Sequence, residues 1–385
     1  MEREQATRMM QTLLKKMVGM NGSDLFITAG FPPAIKVDGE IHRAGEQALT
    51  PDQSAVIVRS IMNDKQAREF DATKECNFAI SPQGIGRFRV SVFVQQGAVG
   101  AVLRTIITEI PTLEQLELPS ILQDVVMTKR GLAILVGATG SGKSTTLAAM
   151  VGYRNENSRG HIMTIEDPVE YVHPHRKCIV TQREVGVDTD NWHNALKNTL
   201  RQAPDVILIG EIRDRETMEY GIQFAETGHL CLATLHANSA NQALDRIINF
   251  FPEDKRDQLL MDMSLNIQAL ISQRLLPRSG GKGRVAAMEI MLRSPLIADL
   301  ILKGQVPMIK EVMAKSNRLG MKTFDQDLFD LYEAGKVDYE EAMRNADSKN
   351  ELRLRIKLES KRGGEGAEAG GLELIEEEEQ GMVRL

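Results

Sequence analysis

Residues 131–146 read GLAILVGATGSGKSTT, and this stretch restricts the fold more than any other part of the chain. Leu132, Ala133, Ile134, Leu135 and Val136 form a continuous apolar run bounded by glycines, the pattern of a strand buried on both faces of a parallel sheet. Gly137, Gly140 and Gly142 then allow the backbone to turn its N–H groups inward. The stretch Gly137, Ala138, Thr139, Gly140, Ser141, Gly142 can therefore cradle phosphate oxygens at the start of a helix whose dipole favours negative charge. Lys143 is placed to reach the β and γ phosphates, the Ser144 hydroxyl to ligate Mg²⁺, and Thr145 follows on the same helix start. The complete GxxxxGK[ST] pattern between an apolar strand and a helix-like run over 145–150 implies a nucleoside triphosphate site.

Three further apolar runs end in polar residues, as expected where a parallel sheet presents its ligand site at the carboxyl ends of its strands. HIMTIEDPVEY at 161–171 leads to Glu166, Asp167 and Glu170. PDVILIGEIRD at 204–214 leads through Gly210 to Glu211, a carboxylate able to hold Mg²⁺ or orient the attacking water. GHLCLATLHANSA at 228–240 carries His229 before the strand and His236 after it. Phosphoryl transfer to water needs a cradle, a metal, a group that positions the nucleophile and a cation for the developing charge. The cation is left to Arg87, Arg89 or Arg104, reaching over from the N-terminal region of the same or a neighbouring chain.

That N-terminal region reads as a smaller α+β domain. Met9, Met10, Leu13, Leu14, Met17 and Val18 recur at helical spacing over 6–20. Asp38-Gly39 between AIKV and EIHR is a hairpin signal, and a helix is expected over 51–70. GRFRVSVFVQQ alternates, with Phe88, Val90, Val92 and Val94 on one face and Arg87, Arg89 and Ser91 on the other. AVGAVLRTI carries Arg104. TEIPTLEQLELPS, with Pro111 and Pro119, reads as a linker. The expected organisation is an N-terminal domain at 1–107, a linker at 108–119, a nucleotide-binding α/β domain at 120–345, and an acidic, disordered tail at 346–385.

Composition narrows the function classes. No run approaches the ~18 apolar residues of a membrane helix, and MEREQATRMMQ lacks the apolar segment of a signal peptide, so a cytoplasmic location is expected. Cys76, Cys178 and Cys231 are widely spaced with no CxxC pair, which argues against a zinc site and a disulfide framework. A net charge of −6, partly due to Glu365, Glu368, Glu373 and the run 376–379, leaves no basic footprint for nucleic acid. A RecA-like nucleic-acid translocase is therefore the weakest reading.

In order and spacing, GATGSGKSTT, IEDPVEY, LRQAPDVILIGEIRD and GHLCLATLHANSA resemble the Walker A, Asp box, Walker B and His box of the secretion ATPase superfamily. SDLFITAGFPPAIKVDGEIH resembles the opening of the type IV pilus retraction ATPases, the PilT/PilU group. The resemblance covers about residues 5–345. It implies a PAS-like N-terminal domain joined to a RecA-like P-loop NTPase core, six chains in a ring, and ATP hydrolysis with Mg²⁺. It implies further that Lys143 and Ser144 bind phosphate and metal, Glu166 is the general base, Glu211 the metal-side carboxylate, and His229 and His236 the His-box pair. Arg89 and Arg104 match the arginines that close onto the γ phosphate. Export and assembly ATPases carry a longer N-terminal region and a tetracysteine zinc element, and this chain has neither. Where PilT has a helix reading close to AIRNLIRE, LIADLILKG stands at 296–304, and an acidic extension follows. Both departures resemble the accessory branch, which implies a PilT-like ATPase and an inner-membrane pilus platform protein as partners. An autonomous retraction or secretion motor is the alternative.

Overall fold

The computed structural model describes residues 2–106 and 109–362. The N-terminal part begins with helix α1 (Arg3–Gly19), which buries Ala6, Met10, Leu13, Leu14 and Met17 and leaves Val18 exposed. Strands β1 (Asp24–Ile27), β2 (Ala34–Val37) and β3 (Glu40–Arg43) follow, then helices α2 (Pro51–Arg59) and α3 (Asp64–Thr73), then strands β4 (Glu75–Ile80), β5 (Arg87–Gln95) and β6 (Ala98–Ile106). Asp38 and Gly39 both have positive φ, and Val37 pairs with Glu40, so the hairpin is the tight turn that Asp-Gly favours.

The six strands form an antiparallel sheet in the order β3-β2-β1-β6-β5-β4. Its buried face packs Leu25, Ile27, Ile35, Phe78, Phe88, Val90, Val92 and Leu103 against the helices. Alternation along β5 therefore puts Arg87, Arg89 and Ser91 on the opposite face, and Arg89 is the direct cross-strand partner of Arg104.

The single helix expected over 51–70 is two helices. Asn63 caps α3 through a reciprocal bond pair with Gln66, as Thr50 caps α2 with Gln53. A capping box in mid-segment ends one helix and starts another, whatever the apolar spacing across it.

Helix α4 (Ile121–Met127) precedes β7 (Gly131–Val136), every residue of which is buried. Helix α5 (Lys143–Asn157), β8 (Gly160–Glu166), β9 (Cys178–Glu184), α6 (Trp192–Thr199), β10 (Val206–Ile209), α7 (Arg215–Glu226) and β11 (Leu230–Leu235) follow. These five strands lie in the order β7-β11-β10-β8-β9, and the β11/β10, β10/β8 and β8/β9 pairings are parallel. Beyond β11 come α8 (Ala240–Asn249), α9 (Arg256–Asn266) and the antiparallel pair β12 (Ile267–Pro277) and β13 (Arg284–Leu292). Helices α10 (Pro295–Leu302), α11 (Ile309–Ala314), α12 (Phe324–Glu333), α13 (Tyr339–Asn345) and α14 (Lys349–Glu359) complete the described chain.

Contacts divide the chain into two compact units. Among the described residues, one holds those in 2–135, 143–235 and 266–268; the other holds those in 136–142, 236–265 and 269–362. In the second, a core forms from Leu276, Val285, Phe324, Leu328, Tyr332, Val337, Leu352 and Ile356.

The expectation of disorder from residue 346 is thereby corrected for α14. Leu352 and Ile356, one turn apart, are buried against α12, and Arg355 and Arg362 stack over Phe329 and Tyr332. Two apolar residues at helical spacing anchor a segment whose average composition is charged. The rest of the expected tail, 363–385, lies outside the described residues.

Candidate active site

Parallel pairing sets β8 and β10 in register, Ile165 beside Ile209, so Glu166 and the Gly210-Glu211 pair emerge side by side at the carboxyl ends of the two strands. The approach is close at Gly210: a Cβ there would lie 3.1 Å from the Glu166 Cα and 3.2 Å from the Ile165 carbonyl oxygen, so a side chain would press the two strand ends apart by a few tenths of an ångström. Glu166 Oε1 accepts hydrogen bonds from Thr164 Oγ1 at 2.6 Å and Gln182 Nε2 at 3.3 Å. Burial pushes its carboxyl up to about 7, against the lowering effect of those two bonds, while Glu170 and Glu184 add to the rise.

A cavity of about 40 Å³ adjoins it, lined by the polar side chains of Ser144, Glu166, Glu170, Tyr171, His173 and Thr234 and by the apolar Leu147, Ala148 and Leu208. A space of that size admits one or two water molecules. A carboxyl raised to about 7 beside a water-sized space that also holds the Ser144 and Thr234 hydroxyls is an arrangement suited to general-base activation of water.

Lys143 is buried at the start of α5. Burial lowers its pKa, and the carboxylates of Glu211 and Glu170 oppose the shift. Thr145 Oγ1 and the Tyr171 hydroxyl share a hydrogen bond of 2.8 Å, tying α5 to the segment after Glu166. Arg213 donates from Nε to Glu211 Oε2 at 3.0 Å and pairs with Asp167 at 3.4 Å, linking the ends of β10 and β8.

Both expected arginines face carboxylates of their own chain. Arg89 Nε lies 3.9 Å from Glu184 Oε1, and Arg104 Nε donates to Asp24 Oδ1 at 2.7 Å. Glu184 is the cross-strand partner of Glu166, so Arg89 stands one strand away from the candidate base. Glu184 is itself buried, which raises its pKa. The Val169 N–H, which donates to it at 3.1 Å, and the Arg89 and Arg87 guanidinium groups act the other way.

The two histidines separate. His229 precedes β11, at the strand's amino end, and its ring is held by Thr227 Oγ1 at 3.0 Å and the Phe224 carbonyl at 3.2 Å. Strand β11 runs parallel to β10 with Leu230 beside Val206, which puts His229 at the edge opposite Glu211, about 20 Å away at ~3.3 Å per residue. His236 follows the carboxyl end of β11.

The other compact unit holds the phosphate loop, Val136–Gly142. Gly140 and Gly142 have φ of +78° and +88°. A Cβ on Gly142 would lie 2.7 Å from Gln273 Nε2, and one on Gly137 would lie 2.7 Å from the Gln273 carbonyl oxygen. Gln273 Nε2 donates to the Ser141 carbonyl at 2.9 Å. Glycine is thus needed for close backbone approach as well as for positive φ.

Thr164, Gln182, Glu184, Arg213 and Gln273 carry no role in the sequence reading. Arg213 lies within the quoted GEIRD run and Thr164 within HIMTIEDPVEY, so only their partners were hidden. Gln182, Glu184 and Gln273 come from strands whose mixed composition gives no alternation to read.

A buried strand leading by a glycine loop into α5, with carboxylates at the ends of neighbouring parallel strands, defines a P-loop ATPase. The family model for type II/IV secretion system proteins matches residues 7–343. The chain is 60% identical over 350 residues to the type IV pilus ATPase PilU of Pseudomonas aeruginosa, covering 91% of this chain and 92% of that protein. It is 42% identical over 334 residues to the retraction ATPase PilT of the same organism, covering 87% and 97%. A crystal structure of the pilus retraction motor PilT with bound ADP superimposes with a TM-score of 0.83 at 40% identity, covering 89% of this chain and 98% of that one. The chain therefore belongs to the type II/IV secretion system protein family, as an ATPase homologous to the type IV pilus motors PilU and PilT.

Proposed function

We propose that the chain forms a homohexameric ring that hydrolyses ATP to help power type IV pilus retraction and twitching motility, as an accessory motor beside a PilT-like ATPase. It acts from the cytoplasmic face of the inner membrane on a pilus platform protein. The observation that carries this reading is the 60% identity to PilU along nine-tenths of the chain. It is supported by a helix at Pro295–Leu302, PLIADLIL, without the arginines of the PilT helix. Functionally the chain divides at 1–107, the 108–119 linker and 120–345, with an acidic extension after α14.

In this reading Gly137 to Thr145 cradle the phosphates, with Lys143 on the β and γ oxygens. The Ser144 hydroxyl and Glu211 carboxylate are hard oxygen donors of the kind Mg²⁺ takes, and the joint action of Glu211 and Glu170 on Lys143 marks converging negative charge suited to a cation. The bound ion would neutralise charge on the phosphate oxygens. Glu166 takes the proton of the attacking water, with Thr164 and Gln182 orienting its carboxyl. Arg213 holds Glu211. His236 senses the γ phosphate, while His229 anchors the start of β11. Arg89 and Arg104 close onto the nucleotide of the same or a neighbouring chain by exchanging Glu184 and Asp24 for phosphate.

The test is the ATPase rate of the purified chain, with Lys143→Ala as blank, alone and with a PilT-like partner. Loss of turnover in Lys143→Ala and in Glu166→Gln is expected, the latter by about 10² to 10⁴. Undiminished turnover in Glu166→Gln would remove the base assignment. A rate indifferent to the partner would favour an autonomous motor.

A further inference from the structure

The phosphate loop belongs to the same compact unit as the His236 side of the chain and the C-terminal helices. Within that unit three consecutive residues of β12 reach three different elements. Gln273 donates to the phosphate loop at Ser141 and presses on Gly137 and Gly142. Ser272 Oγ donates to Glu289 Oε1 at 3.3 Å, and the same oxygen accepts the Ala240 N–H at 2.6 Å, pinning the start of α8.

Arg274 donates from Nη2 to the Asn238 carbonyl at 3.2 Å and to Asp347 Oδ1 at 2.9 Å, and from Nη1 to the Asn345 carbonyl at 2.6 Å. Its guanidinium lies 3.8 Å from the ring centroid of Phe324, the first residue of α12. Asp347 in turn accepts from Lys310 Nζ at 2.7 Å, and its N–H donates to Asp325 at 2.8 Å.

The turn at 236–239 is therefore held at its Asn238 carbonyl by Arg274, and the first residue of α8 that follows it, Ala240, is held by Glu289. Arg274 Nη2 bridges that turn and Asp347, and Nη1 holds the Asn345 carbonyl, so one guanidinium joins the turn to the junction of α13 and α14. We propose that Arg274 is a positioning residue that couples the His236 turn to the helical module at 324–359, so that this module changes state with the γ phosphate. Gln273, its neighbour, ties the phosphate loop to the same strand. A displacement of the turn has to move the Arg274 fork or break its bond to Asn238. The planar fork with stacking on Phe324 makes this link rigid in a way that a lysine's single ammonium cannot reproduce.

The inference rests on the proposed sensing role of His236. The experiment is hydrogen–deuterium exchange on the full chain, with ADP and with a non-hydrolysable ATP analogue, read over peptides from 324–359. Wild type, Arg274→Ala, Arg274→Lys, Asp347→Asn and His236→Ala are compared after thermal melts confirm that each is folded. Wild type is expected to show a nucleotide-dependent difference in these peptides, and both Arg274 variants to lose it while binding the analogue within about threefold of wild type. Their kcat falls about tenfold, within the usual range of coupling, with KM for ATP little changed, because the turn is misplaced and the phosphate cradle is not. Asp347→Asn, which keeps the Asn238 contact, loses the difference in exchange but retains most of kcat. A difference that survives in Arg274→Ala, or is absent from wild type, overturns the coupling. If Arg274→Ala does not fold, the same readings apply to Arg274→Lys and Asp347→Asn. Survival in His236→Ala with loss in the Arg274 variants would overturn the sensing role of His236 and keep the Arg274 link.

Discussion

Thr164→Val moves the pH dependence of catalysis to higher pH. Thr164 is fully buried and gives Glu166 its shorter hydrogen bond, 2.6 Å, which favours the ionised carboxylate. With the carboxyl at about 7, about a tenth of the free enzyme carries the base at pH 6 and about nine-tenths at pH 8, so kcat/KM should rise about tenfold over that interval. A hydrogen bond to a charged group is worth about 1.5 kcal/mol, which is about one pH unit. Valine keeps the shape and removes the donor, while the Gln182 bond at 3.3 Å remains. The midpoint should therefore shift from about 7 to about 8, and kcat/KM at pH 7 should fall about fivefold and converge on wild type near pH 9. Titration of the substrate's own phosphate is common to both enzymes, so the shift between the two profiles isolates Glu166. An unchanged midpoint, or one displaced toward acid, would refute the reasoning.

Stability follows the same carboxyl. Because the folded-state value is raised from 4.5 to about 7, the protonated form stabilises the fold fully below the unfolded value, and that contribution is lost as pH rises through 7. Melting temperature measured from about pH 5.5 to 8 should decline more in wild type than in Glu166→Gln, whose side chain does not titrate; parallel profiles would contradict this. Gly142→Ala forces a side chain onto φ +88° with its Cβ 2.7 Å from Gln273 Nε2, and fluorescent-nucleotide titration should show at least about a tenfold loss of affinity, since strain and a displaced Gln273 act together. Leu352→Ala removes a side chain that is 1% exposed and should cost about 2–4 kcal/mol in urea denaturation; a cost near zero would mean that α14 is not docked.

Much of the site was legible because strand polarity and apolar runs carry it. A buried run must stop where the sheet ends, so Glu166 and Glu211 stood out as polar residues after Ile165 and Ile209. The same polarity separates the histidines, since only His236 follows a strand. What the sequence concealed were contacts between distant segments. Glu184 and Gln182 sit on β9, CIVTQRE, where exposed Ile179 and buried Glu184 reverse the usual pattern. The break between α2 and α3 was masked by Ile61 and Met62, which continue the apolar spacing while Asn63 starts a new helix. Docking of α14 rests on Leu352 and Ile356 amid lysines, arginines and glutamates, too few apolar groups for composition to reveal.

The accessory role is tested most directly by measuring single-pilus retraction force in an optical trap, in cells carrying this chain alone, the PilT-like ATPase alone, or both. No retraction is expected with this chain alone, and a higher stall force with both than with the partner alone, the increment vanishing in Lys143→Ala. Retraction sustained by this chain alone would contradict the accessory role.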